Sequence, residues 1–227
     1  AITVLAFQVG GTRVAALAFF GLWFILLGGA WERAMLSIYL CGSAVFISAA
    51  LGISLGIWAS HNDRVSAFLR PINDTLQTMP LFVFLIPVLM VFLLGDFTAM
   101  LAIVMYAIVP AIRYTEHGIR NVPPDTLEAA KALGCNRWQL LFQVELPLAI
   151  PEIMLGLNQV VMFALAMLVI TALVGTVDLG QLVYEALTNA DFGLGVIAGL
   201  GMALLAMITD RILQAWSRRK KIELGLI

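Results

Sequence analysis

Charge is what this sequence has least of: Asp, Glu, Lys and Arg supply 12% of its 227 residues, whereas hydrophobic residues supply 62%. A soluble globular domain is roughly half apolar and a quarter charged, so this composition, with a mean hydropathy of +0.99, excludes water as the chain's main solvent. A net charge of -1 gives no basic field and excludes a nucleic-acid partner. Cysteine is nearly absent too. Cys41 lies in an apolar block and Cys135 in the most polar loop, which excludes a bridge between them. Two histidines, His61 and His117, stand far apart without Cys/His spacing, so no metal site is expected and both read as solvated interfacial residues. None of Lys131, Lys220 and Lys221 follows a glycine, so the Gly-Lys-Ser/Thr of a phosphate-binding loop is missing. The chain is therefore expected to be no enzyme, to hydrolyse no ATP and to hold no cofactor. Period-two alternation is lacking as well, which excludes strands.

What is present is long apolar blocks, about 14–30, 35–59, 72–94, 97–115, 148–175 and 193–215. A helix needs about 20 residues, at 1.5 Å each, to cross a bilayer. The expected fold class is an all-α polytopic membrane protein of about six transmembrane helices, one domain over residues 1–227. The sequence starts at Ala1 rather than methionine, which suggests a trimmed N-terminus. The first run, Val14 to Leu27, is followed by Gly28-Gly29-Ala30-Trp31, a poor cleavage site, and reads as a retained span. With both termini and the loops around 61–70 and 116–147 on one side, every basic residue except Arg33 collects there, and the positive-inside rule makes that side cytoplasmic.

Two further patterns concern packing and bending. Gly52-x-x-x-Gly56 and Gly195-x-x-x-Gly199 let helix backbones approach closely. The third block contains Gln77-Thr78-Met79-Pro80 and then Pro87, which remove two backbone donors and predict a kinked helix suited to a gate; proline's frequency in membrane helices explains them equally. Asp210 beside Arg211 reads as a local pair or a snorkelling charge near the cytosolic end of the last block. The basic tail Arg218-Arg219-Lys220-Lys221 reads as a topology anchor or a contact to anionic lipid.

The longest polar interval, Glu116 to Glu145, opens with Asn121-Val122-Pro123-Pro124-Asp125-Thr126. Asp125 or Thr126 can cap a short helix over Thr126 to Leu133, with Glu128 in its first turn where the helix dipole favours an anion. Gly134 ends it in the left-handed conformation, and Asn136 can cap a second helix running from Arg137 toward Pro147. A helix-turn-helix elbow projecting into the cytosol is expected.

Glu128-Ala129-Ala130, three residues, Gly134, nine residues and Val144-x-Leu146-Pro147 resemble the EAA loop of ABC importer permeases, with valine where isoleucine is usual. The segments Gln77 to Pro87, Leu148 to Gln159 and Thr209 to Gln214 extend the likeness to the glycine betaine/proline betaine group, from about residue 35 onward. The resemblance implies a type I, MetI-like permease fold in a bacterial inner membrane. Glu128, Ala129, Ala130, Leu133, Gly134 and Arg137 would form a coupling helix, with the two alanines presenting a small face to a groove on a separate ATPase chain and Glu128 meeting a basic residue there. That ATPase would bind ATP and Mg. A substrate-binding protein would dock outside, and a second permease copy would complete the path. The solutes implied are glycine betaine, proline betaine, choline or a related methylated amine such as trimethylamine N-oxide. Met79, Pro80, Phe82, Asn158, Gln159 and Met162 are path or gate candidates, although ordinary packing explains each as well. An ion-coupled transporter or channel, a structural membrane subunit, or an importer of another small solute such as an amino acid are the other readings.

Overall fold

The computed structural model describes residues 2–223, and every regular element among them is helical. α1, Ile2–Leu27, begins earlier than the first apolar block because Gly11, at φ 75° and ψ -168°, lets two helical pieces join at a break. Gly29, at φ 70°, turns the chain into α2, Trp31–His61. At 1.5 Å per residue the 31 residues of α2 run about 46 Å, more than a bilayer's hydrocarbon core. Ser37, Ser54 and Ser60 close their hydroxyls onto carbonyls three or four residues back, so their polarity is met inside the helix.

The third apolar block does not form the single kinked span expected over 72–94. It is shared by α3, Asp63–Thr78, and α4, Leu81–Phe92, which meet at 102°. Pro80 has no N–H to continue the ladder, and the residue before a proline is pushed out of the helical region; Met79 is extended at ψ 137°. Pro87, by contrast, is absorbed inside α4. With 12 residues α4 reaches about 18 Å and cannot cross the hydrocarbon alone. Five other helices are long and apolar enough to span, and the bent pair makes six.

The centre of the molecule is α5, Asp96–Arg120, which packs against α2, α4 and α8 (Leu146–Thr171). The Gly52 and Gly56 motif works as expected. A Cβ on Gly56 would stand 2.8 Å from the Ile112 carbonyl oxygen, so α2 and α5 touch backbone to backbone. Gly199 has nothing within 4 Å of its would-be Cβ, so the second small-residue pair is not a close contact here. The residues around Gly52 also spell Gly-x-Ser-x-Gly, the letters of a hydrolase nucleophile elbow. That motif needs a sharp strand-to-helix turn, whereas Ser54 sits mid-helix with its Oγ donating to the Ala50 carbonyl at 2.8 Å.

Buried Ile103, Ala107, Val160, Ala164, Met167 and Leu168 form the core where α5 meets α8. Phe84, Tyr106 and Phe163 extend it as an aromatic ladder, with centroids 6.0 Å and 4.9 Å apart. The outer faces stay apolar and uncovered, with Phe20, Phe46 and Met90 all exposed, as a chain solvated by lipid requires. Between the apolar blocks 148–175 and 193–215 lies a further short helix, α9, Leu179–Thr188, before α10, Phe192–Glu223.

Candidate functional site

The polar interval folds as an elbow. Its first arm, α6, is Pro124–Ala132, starting two residues before the expected Thr126. Neither Asp125 nor Thr126 caps it: Pro123 takes the cap position without a side-chain hydrogen bond, and Pro124 at the first helical position needs no N–H partner. Asp125 holds the dipole position in the first turn, and Glu128 lies one turn further along. The hinge is as expected. Gly134 adopts φ 84° and donates its N–H to the Lys131 carbonyl at 2.9 Å. Asn136 then opens the second arm, α7 (Arg137–Gln139), with a full capping box: Gln139 N donates to Asn136 Oδ1 at 2.8 Å, and Asn136 N donates to Gln139 Oε1 at 2.9 Å.

The second arm is not a separate helix ending at Pro147. It continues through a π turn, Leu140–Glu145, into α8, so Arg137–Val174 is one apolar rod. The prolines at 147 and 151 sit at and beyond that start, where α8 is already running.

Exposure corrects the expected docking face. Glu128, Ala129, Gly134 and Arg137 are exposed, and Leu133 is 86% exposed, but Ala130 is only 7% exposed and faces inward. The two alanines therefore do not share one outward surface. What the outward surface does carry is aromatic: Trp138 and Phe142, stacked with centroids 6.0 Å apart, are both exposed beside Leu133. Their spacing of four on a helical arm was available in the sequence as a signal.

Below the elbow a polar network ties the neighbouring helix ends together. His61, expected to be isolated and solvated, places Nε2 2.9 Å from Oε2 of buried Glu145. His117 pairs with Asn121, the cap residue that follows its own helix. Arg120 donates to Asp63 Oδ1 at 2.8 Å and to the Ala59 carbonyl at 2.9 Å, and contacts Glu116 Oε1 at 3.1 Å. Ser66 also donates to Glu116, and Arg113 pairs with Asp74. Near the end of α10, Asp210 accepts from Gln214 rather than pairing with Arg211.

Of the path candidates, Met79 and Pro80 occupy the break itself, with Met79 packed against the main core. Phe82 is 51% exposed, and Gln159 and Met162 are exposed along α8. Asn158 is half-buried, and its Oδ1 lacks a partner among the described residues. No hydrogen bond among the described residues joins Asn158 or Gln159 to the break. At the opposite end of the helices Arg33 donates to Gln181 Oε1 at 2.6 Å, and the Leu179 N–H donates to Ser37 Oγ at 2.9 Å.

Residues 48–222 match the family described as "binding-protein-dependent transport system inner membrane component". The chain is 41% identical over 96% of its length to a trimethylamine N-oxide transport system permease protein of Pelagibacter ubique, of which it covers 30%. To the glycine betaine/proline betaine transport system permease protein of Escherichia coli it is 38% identical over 95% of its length, covering 61% of that protein. To the glycine betaine transport system permease protein of Bacillus subtilis it is 40% identical over 96% of its length, covering 77%. The chain thus spans about a third to three-fifths of the length of the first two. Its fold matches a crystal form of the MetNI methionine ABC transporter, in inward facing conformations, with a TM-score of 0.72 at 17% identity, covering 86% of this chain and 95% of that one. The chain belongs to the family of binding-protein-dependent transport system inner membrane components, with the fold of ABC importer permeases.

Proposed function

We propose that this chain is the membrane-crossing permease of an ATP-driven importer for a small methylated amine, in the class of glycine betaine, proline betaine, choline or trimethylamine N-oxide. The observation that carries the reading is the join between the exposed elbow and the Arg137–Val174 rod. A force applied to Leu133, Trp138 and Phe142 has no loose linker in which to dissipate, because the capping box and the π turn pass it directly into a helix packed on α5. The exposed aromatics suit a groove on a partner ATPase, at whose edge Glu128 pairs with a cation.

In this reading residues 1–227 act as one permease domain with both ends of the described helices on the cytosolic side of a bacterial inner membrane. Two copies face each other, each docking one ATPase that binds ATP and Mg, and a substrate-binding protein delivers the solute to the outer face. Alternating access then proceeds by rigid-body motion, with the Met79-Pro80 break as a natural pivot and Phe82, Asn158, Gln159 and Met162 along the path. The relatives named for glycine betaine, proline betaine and trimethylamine N-oxide transport support the solute class.

Proteoliposomes holding the permease, its ATPase and the binding protein test this. Betaine uptake should require ATP, and Glu128→Lys should weaken ATPase association or uncouple hydrolysis from uptake. Uptake that persists without ATP and without the ATPase would instead establish an ion-coupled carrier or channel.

A further inference from the structure

A cleft of about 620 Å³ opens between the C-terminal halves of α3 and α5, within the size range of small-ligand sites. One wall is a stripe of α3, Arg70, Asn73, Asp74 and Gln77, whose spacings of three and four place them on one helical face. The opposite wall comes from α5, with Pro110 and Tyr114 nearest α8. The cleft ends at Gln77, two residues before Met79 and the break into α4.

Most charges lining the cleft are already committed. Asp74 holds Arg113, and Glu116 holds Ser66 and Arg120. Two groups are not. Arg70 makes no ion pair or hydrogen bond among the described residues. Among the described residues, Asn73, 3% exposed, makes no side-chain hydrogen bond, and its Oδ1 is buried without a donor. An orphaned buried carbonyl oxygen is costly, so its persistence at a cleft wall asks for a ligand.

The two unmet demands have opposite sign. A guanidinium calls for a carboxylate or phosphate, whereas a bare amide oxygen calls for a positive or donating group. Arg70 and Asn73 are one helical turn apart, with Cβ atoms about 5–6 Å from each other, so one short ligand can answer both. A simple anion leaves Asn73 unmet, and a simple cation leaves Arg70 unmet. The lining carries three guanidinium groups against two carboxylates, an excess of one positive charge, so the anionic end is held more firmly. Tyr114 adds a phenol ring, one of the groups that attract quaternary ammonium.

We propose that this cleft is a cytosolic-side binding site for a small zwitterion, Arg70 taking its carboxylate and Asn73 facing its positive end. The site rests on the importer reading for the identity of its ligand, and makes the inner mouth of the path a place where solute pauses before release.

Equilibrium dialysis of radiolabelled glycine betaine against the purified permease–ATPase complex, without binding protein, tests it. The wild-type complex should retain betaine, and acetate or tetramethylammonium alone should displace it poorly. Arg70→Gln should weaken retention about tenfold or more, the loss of one charge-assisted hydrogen bond. Asn73→Leu should weaken it too, while Arg64→Gln, at the far end of α3, should leave it unchanged. The elution profile of each variant complex reports folding. The inference is overturned if the folded wild-type complex retains no betaine, if Arg70→Gln binds like wild type, or if inorganic phosphate competes as well as betaine, which would mark a headgroup or phosphate site. ATP-driven uptake measured in parallel separates the two readings: uptake without dialysis binding sinks the cleft alone, and dialysis binding without uptake sinks the importer reading alone.

Discussion

His61 Nε2, on the last residue of α2, lies 2.9 Å from Oε2 of Glu145 in the π turn that joins the elbow to α8. The pair spans 84 positions of sequence and is the side-chain tie between α2 and the base of the elbow. Glu145 is buried while His61 is half exposed, so the histidine is the group that makes the carboxylate's burial tolerable.

Removing His61 should therefore do more than delete a surface contact. His61→Ala leaves Glu145 buried without its partner and should destabilise the detergent-purified protein by about 1–3 kcal/mol. Glu145→Gln on its own should be milder, and the double variant should recover part of the loss. Thermal melting of the three variants gives the coupling energy, and an unchanged melting temperature for His61→Ala would show that the pair carries nothing.

The elbow shows which part of a site a sequence can reveal. Gly134, Asn136 and Gln139 act through backbone groups within a few residues, so turn and cap were readable from local chemistry. Ala130 and Glu145 are different, because their burial depends on elements distant in sequence. Even prolines alike on paper diverge. Pro80 breaks the chain after Thr78 has turned its hydroxyl back onto Asp74 and Thr75, while Pro87 stays inside α4 among core contacts of Phe84, Leu85 and Val88. Helix α9 has a readable start in Asp178, whose carboxylate accepts from Gln181 N at 3.1 Å, but its ten residues are too few to stand out beside blocks long enough to span a bilayer.

Gly134 tests whether the elbow must be rigid in one geometry. Its φ of 84° is left-handed, where a side chain adds about 1–2 kcal/mol of strain, and its would-be Cβ meets nothing within 4 Å. Gly134→Ala should thus leave packing intact and shift only the angle between arms. ATP-driven uptake should fall while the amount of folded protein stays near normal; equal uptake per folded molecule would mean the hinge angle is not part of coupling.

The small-residue contacts give a paired prediction. Gly56→Ala forces a methyl to within 2.8 Å of the Ile112 carbonyl oxygen and 2.6 Å of Thr115 Cβ, and should destabilise the α2–α5 contact by about 1–3 kcal/mol. Gly199→Ala meets nothing and should be neutral. Melting curves that rank the two in the opposite order would contradict the packing described for α2 and α5.

Asp178 makes the last prediction, and its sign follows from where the proton is held. Burial pushes its carboxyl above the ordinary carboxylate value of about 3.9, with nearby Asp96 adding to the rise, while hydrogen bonds from Gln181, Thr176 and Gly180 pull the other way. One oxygen, Oδ2, has no hydrogen-bond partner among the described residues. A carboxyl with a higher pKa folded than unfolded binds its proton more tightly in the folded state. Its stabilising contribution is complete below the unfolded value and is lost as pH rises through the folded one. Wild-type stability should therefore decline from about pH 4 upward through that window. Asp178→Asn keeps the cap to Gln181, since asparagine caps as well as aspartate, and removes the charge. Its stability profile should be flatter over the same window and higher than wild type near neutral pH. Parallel profiles for the two proteins would show that the buried carboxylate finds its compensation in the folded state, and that the unpartnered oxygen is not a strain on the external loop.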